Sequence, residues 1–152
     1  TGPGPTRAGD DALCPAQILP PRGSSSGSAY VRPEYRRAME LAVDGAAAAV
    51  SIDGEHLTSE RVALTAVAPT IIEVTGLEAL AGRPIDDGLL TEVAEAAAEQ
   101  ASPISDLRAS DRYRRHAIGV MARRAVDAAS QRAVGKAIAV PVNRALGIGA
   151  AS

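Results

Sequence analysis

The sequence predicts an α+β fold, with a small antiparallel sheet formed first along the chain and helices packed against it afterwards. Two observations carry that order. Between Met39 and Val74 the chain is rich in alanine and β-branched residues and contains the pair Asp53–Gly54, of the kind that turns a hairpin. Between Asp86 and Ala133, apolar residues recur at three- and four-residue spacing behind residues suited to helix capping. Strands followed by helices is an α+β arrangement.

The chain has 152 residues, a length that suits one domain. Residues Thr1 to Ser28 hold five of the ten prolines and the run RGSSSGS. A segment so poor in apolar surface does not offset its ordering entropy, and 1–28 is expected to be a linker or the end of a preceding domain. Within it, CPAQILPP is the one candidate for a short strand. The chain begins at Thr1, which fits a processed start or a piece of a longer polypeptide.

MELAVDGAAAAVSI, from Met39 to Ile52, is ambiguous by its own residues, because alanine also favours helix. RVALTAVAPTIIEV is broken at Pro69, as a strand with an edge or bend would be. We read Leu41–Ile52 and Arg61–Val74 as antiparallel strands. TGLEALAG then forms a short helix closed by Gly82, with Pro84 beyond it. Asp86 caps the next helix. Its apolar face is Leu89, Leu90, Val93, Ala94, Ala97, Ala98 and Ala101, with Glu92, Glu95 and Glu99 toward water. Pro103 ends it. Ser110 caps a further helix whose stripe is Tyr113, Ala117, Val120, Met121, Ala125 and Ala128, with Arg112, Arg115 and Arg123 largely opposite. Residues 134–152 form an irregular tail.

Composition excludes several functions. With 16 basic and 18 acidic residues, the chain has no general field to attract nucleic acid or an anionic membrane. The arginine-rich helix lacks the interleaved aromatics that stack bases, so no nucleic-acid partner is expected. The single cysteine, Cys14, rules out an internal disulfide, and with two histidines it makes no thiolate-rich metal site. No apolar run approaches the roughly 20 residues that span a bilayer, and a cytoplasmic chain without a membrane partner is expected. Nucleophile elbows, Walker loops and C-x-x-C pairs are missing, and GPG and GIG lie in the tails. His56, in an expected turn beside Glu55, and His116, among arginines, read as surface residues, so no catalytic or metal-binding residue is assigned. Three tyrosines are the only aromatics, so the core must be built from Ala, Val, Leu and Ile.

Three stretches in fixed order carry a resemblance: GSAYVRPEYRRAMELAVDGAAAAVSIDG, ALTAVAPTIIEVTGLEALAGRPID and ASPISDLRASDRYRRHAIGVMARRAV. Together they resemble the C-terminal domain of the flavin-binding medium subunit of the carbon monoxide dehydrogenase and xanthine dehydrogenase family of molybdenum hydroxylases. The resemblance covers roughly 28–133, and we set the domain at 29–133. It implies a three-stranded antiparallel sheet packed with a bundle of about three helices, and it resolves Leu41–Ile52 as strand. In such enzymes electrons pass from a molybdopterin centre in the large subunit through two [2Fe-2S] clusters in the small subunit to FAD, which delivers them to an acceptor. The implied partners are therefore those two subunits and FAD.

By position, the resemblance implies that Tyr30, Arg32, Arg36, Arg37 and Glu40 lie near the flavin ring. The glycine-rich loops that hold the FAD diphosphate in the family have no counterpart here, so the chain alone should bind FAD weakly or not at all. The alternative reading is a subunit-docking module or truncated remnant without flavin. Two departures stand out. Asp44 occupies a position where many relatives have a small apolar residue, and residues 1–21 fit poorly to the strand that normally leads into this domain.

Overall fold

The computed structural model describes residues 9, 11–13, 15–19, 21–33 and 43–139. Strands β1 (Ser26–Val31), β2 (Gly45–Asp53), β3 (His56–Thr65) and β4 (Ile72–Glu73) form one antiparallel sheet in chain order. A single 3₁₀ turn at Leu77–Leu80 leads to α1 (Asp87–Gln100) and α2 (Asp111–Ala133). The described residues before Ser26 contain no strand, so the candidate strand in CPAQILPP does not form there.

The sheet has one buried face. On β2, Ala46, Ala48, Val50 and Ile52 are buried, as are Ala29 and Val31 on β1 and Val62 and Leu64 on β3. α2 lies across β1 and β2 on this side, and α1 packs against α2 and the 3₁₀ turn. At the hairpin, Ser51 pairs with Ser59 but Ile52 pairs with Leu57. Thr58 is thus a bulge residue, and the extra residue returns Leu57 to the core face.

Side chains this small fill a core only if backbones come close. A Cβ on Gly27 of β1 would stand 2.0 Å from the Ala129 carbonyl oxygen and 2.7 Å from the Ala133 nitrogen of α2. Likewise, a Cβ on Gly119 would lie 2.8 Å from the Ala94 oxygen of α1. Close contact between backbones replaces bulk as the source of packing density.

The helix caps are as the sequence predicts. Asp86 accepts from the Leu89 amide at 2.8 Å, and Ser110 from the Tyr113 amide at 3.2 Å. Arg123 pairs with Asp87 of the preceding helix. Other expectations need correction. The sheet has four strands rather than three, because Arg61–Val74 is not one strand. It reverses through bends at 66–70, where Ala66 takes φ 61°, and β4 returns beside Ala63 and Leu64. Among the described residues the helical layer holds two α-helices and one 3₁₀ turn rather than a bundle of about three. His56 opens β3 instead of lying in the turn. Tyr113 is 46% exposed, while Ala117, Met121, Ala125 and Ala128 of the expected α2 stripe are buried and Ile118, Ala122, Val126 and Ala129 widen it. The beginning of the expected strand, Leu41 and Ala42, lies outside the described residues.

At the start of α2 stands Arg114, only 4% exposed. Its Nη1 donates to the carbonyls of Val43 (2.8 Å) and Ala66 (3.4 Å), and its Nη2 pairs with Asp106 Oδ2 at 2.7 Å. Asp106 also accepts from the amides of Arg108 and Ala109. The Arg114 hydrogen bond, with those two amides, holds the Asp106 carboxyl down at about 2. Asp44 is fully buried nearby, and among the described residues neither of its oxygens, nor Arg114 Nε, has a hydrogen-bond partner. Burial pushes the Asp44 carboxyl up to about 6 against the opposing pull of the Arg114 charge.

Two predictions arise here. The folded chain holds the Asp44 proton more tightly than the unfolded one, so this group favours folding at low pH and loses that effect between about pH 4 and 6. Replacing it by Asn should flatten the stability profile over that window by about 2 kcal/mol relative to wild type, read from denaturant midpoints at pH 4 and pH 7. Conversely, Arg114→Met strands the Val43 carbonyl and removes the ion pair to Asp106, and should lower unfolding free energy by about 3 kcal/mol at pH 7, with no recovery in Arg114→Lys.

Candidate functional site

The face of the sheet turned away from the helices is open, and strand register determines what it presents. One cross-strand row runs Tyr30, Ala47, Ala63, Glu73, and the next runs Ser28, Ala49, Arg61. Three methyl groups therefore form a flat floor, with Tyr30 at one side and an ion pair at the other. Ile71 and Arg132 complete the rim of a groove of about 760 Å³.

Each wall is fixed by an identifiable contact. Tyr30 is 46% exposed, and its ring leans along the strand over Gly45. A Cβ at Gly45 would come within 2.5 Å of the Tyr30 hydroxyl, 3.0 Å of its Cε2 and 2.9 Å of Thr65 Oγ1. Gly45 thus provides the seat for the tyrosine. Across the floor, Arg61 donates from Nε and Nη2 to the two carboxylate oxygens of Glu73, at 2.6 and 3.1 Å. That hydrogen bond lowers the Glu73 carboxyl below its usual range and raises the Arg61 guanidinium. Arg132 is tied down too, donating to the Ser28 carbonyl at 2.6 Å and to the carbonyls of Ile138 and Ala139.

These features specify what the groove accepts. A floor of methyl groups admits a flat ring to van der Waals distance, and an aromatic edge adds stacking and excludes water. Phosphate is a poor fit. Arg61 is neutralised by Glu73, Arg132 is engaged with carbonyls, and no helix N-terminus lines the groove among the described residues. The groove suits a planar heterocycle but does not supply a diphosphate cradle.

Of the residues singled out from sequence, Tyr30 stands at this groove. Arg32 is partly buried, one residue beyond β1. Arg36, Arg37 and Glu40 lie outside the described residues. His56 and His116 are exposed and line no part of the groove. Sequence reasoning missed Ala47, Ala49, Ala63, Arg61 and Glu73. The alternation of GAAAAVSI was the available signal for the floor. The Arg61–Glu73 pair follows only once the reversal into β4 is known.

Comparisons with known proteins agree with one another. Residues 29–129 match the family described as CO dehydrogenase flavoprotein C-terminal domain. The xanthine dehydrogenase FAD-binding subunit of Escherichia coli O157:H7 is 30% identical over 138 residues, covering 90% of this chain and 47% of that protein. The chain spans about half the length of the curated relatives it matches. Among solved structures, carbon monoxide dehydrogenase from Hydrogenophaga pseudoflava aligns with a TM-score of 0.70 at 30% identity, covering 75% of this chain and 40% of that one. Quinoline 2-oxidoreductase from Pseudomonas putida 86 aligns with a TM-score of 0.67 at 27% identity, covering 71% and 38%.

The seat of Tyr30 can be tested directly. The atoms facing an added Cβ at Gly45 are the ends of side chains, so Gly45→Ala should displace the tyrosine ring without unfolding the sheet, at about 1 kcal/mol of stability. Combining it with Tyr30→Ala should make the added methyl group cheaper, as read from a double-mutant cycle of denaturant midpoints.

Proposed function

Because this chain belongs to the CO dehydrogenase flavoprotein C-terminal domain family, we propose that it forms one end of the FAD-binding subunit of a molybdenum-hydroxylase-type oxidoreductase. It covers a flavin whose diphosphate is held by other polypeptide. The proposed domain is 29–133, with 1–28 leading in from a preceding part and 134–152 as a tail. The observation that carries the reading is Tyr30, half-exposed at the edge of a flat alanine floor large enough for a ring system.

FAD, when bound, supplies the acceptance of electrons that leave the substrate at a molybdopterin centre and arrive through [2Fe-2S] clusters in partner subunits. The chain's own residues bind and shield. Tyr30 lies against the ring and keeps water from it, while the alanine floor admits the ring without steric obstruction. Arg32, with Arg36, Arg37 and Glu40 beyond the described residues, supplies charge on the segment that follows Tyr30. A cation there favours negative charge developing on the ring. The other half of the subunit, the large molybdopterin subunit and the small iron–sulfur subunit are the proposed partners.

A second reading has one observation in its favour. Of the two arginines lining the groove, Arg61 is paired with Glu73 and Arg132 is engaged with carbonyls, as a docking module without flavin would have it. Flavin titration separates the two. The chain alone should show no saturable FAD binding, and combined with the separately expressed FAD-binding half it should retain equimolar flavin. Tyr30→Ala in that combination should weaken retention about fivefold, the equivalent of one aromatic contact of about 1 kcal/mol. Combined halves that stay colourless would favour the docking module.

A further inference from the structure

The segment between the two helices is held more firmly than its length requires, and it displays apolar side chains to water. Asp106 anchors it through two backbone amides and the buried Arg114. Ser105 and Asp111 bond reciprocally, the Ser105 hydroxyl donating to the carboxylate at 3.0 Å and the Asp111 amide donating back at 2.9 Å. On this clamped turn Leu107 is fully exposed and Ile104 is 75% exposed. A cleft of about 310 Å³ lies beside Ile104, between Pro103 and the bend at Ala68 and Pro69.

The charge around it has one sign. Both carboxylates of the turn are engaged, Asp106 by Arg114 and Asp111 by Ser105. The exposed guanidinium groups of Arg108 and Arg112 carry no ion pair among the described residues. Apolar tips rimmed by unpaired cations are complementary to an apolar hollow rimmed by carboxylates. A turn whose conformation is already fixed loses little entropy on docking, so its apolar contacts convert efficiently into affinity. Two apolar side chains and two cations are too small a footprint for stable attachment to a bilayer.

We propose that residues 103–109 are a rigid docking prong, whose Leu107 and Ile104 enter an apolar pocket edged by carboxylates on another subunit of the same oxidoreductase. This rests on the multi-subunit reading above but not on flavin contact. The test uses the full flavoprotein subunit, titrated at low and physiological salt against its purified molybdopterin and iron–sulfur subunits. Leu107→Ser and Arg108→Glu should each weaken binding to one of them about tenfold, while Leu107→Met retains it. Arg108→Glu should also flatten the salt dependence, which Leu107→Ser leaves alone. Thermal melting and flavin retention should match wild type in all three, so failure here is distinguishable from failure of the flavin reading. Unchanged affinity in both disruptive variants would overturn the prong. So would wild-type subunit that binds neither partner, or that prefers anionic phospholipid vesicles to both.

Discussion

The buried guanidinium of Arg114 is the contact on which the geometry of this domain depends. It reaches from the first turns of α2 to the carbonyl of Val43 just before β2, to Ala66 just after β3, and to Asp106 on the inter-helix turn. Four segments distant in sequence thereby share one hub. Three of them have backbone groups or conformations that regular structure leaves unsatisfied. A buried arginine can serve all of them because its planar fork presents several donors in fixed directions, which lysine does not. Arg114 is itself buried, so a carbonyl that loses its guanidinium partner there has no equivalent donor nearby. Asp44 adds to this tension, as a fully buried carboxylate close to the same charge but without a hydrogen bond among the described residues.

A second constraint is the scarcity of large side chains. With three tyrosines and no Phe or Trp, the core gains little area from each residue and depends on short distances between elements. Gly27 against α2 and Gly119 against α1 set those distances. Alanine thus does two things in this sequence. In α2 it allows the helix to sit close on the sheet, and in β2 it alternates between the core and the open floor.

How much of this was legible in the sequence differs from feature to feature, for physical reasons. Caps at Asp86 and Ser110 were legible because a cap is local chemistry between residues three apart. The hairpin at Asp53–Gly54 was legible for the same reason. The reversal at 66–70 was not, since its left-handed residue is Ala66, where a glycine would have signalled the turn. Nor did the burial of Arg114 declare itself. In RYRRH one arginine looks like the next, and the carbonyl it serves at Val43 is 71 positions away. Tyr30 was singled out through resemblance, and the groove beside it emerges only from strand register. Ala47, Ala63 and Glu73 meet Tyr30 across three strands, a relation that no local spacing contains.

The open face is also informative in what it lacks. A solvent-facing sheet surface that serves only solubility is ordinarily dressed with polar and charged side chains. Within the groove, charge is confined to the Arg61–Glu73 pair at one margin and to Arg132 at another, while the middle is methyl groups. Folding does not call for that choice, because the core lies wholly on the other side of the sheet. Nor does β2 gain from a glycine at position 45, which weakens a strand and buries no side chain. Gly45 becomes intelligible as the space that the hydroxyl end of Tyr30 occupies. The flat, small-sided surface with an aromatic ring at its edge is thus the feature that supports the flavin contact proposed above.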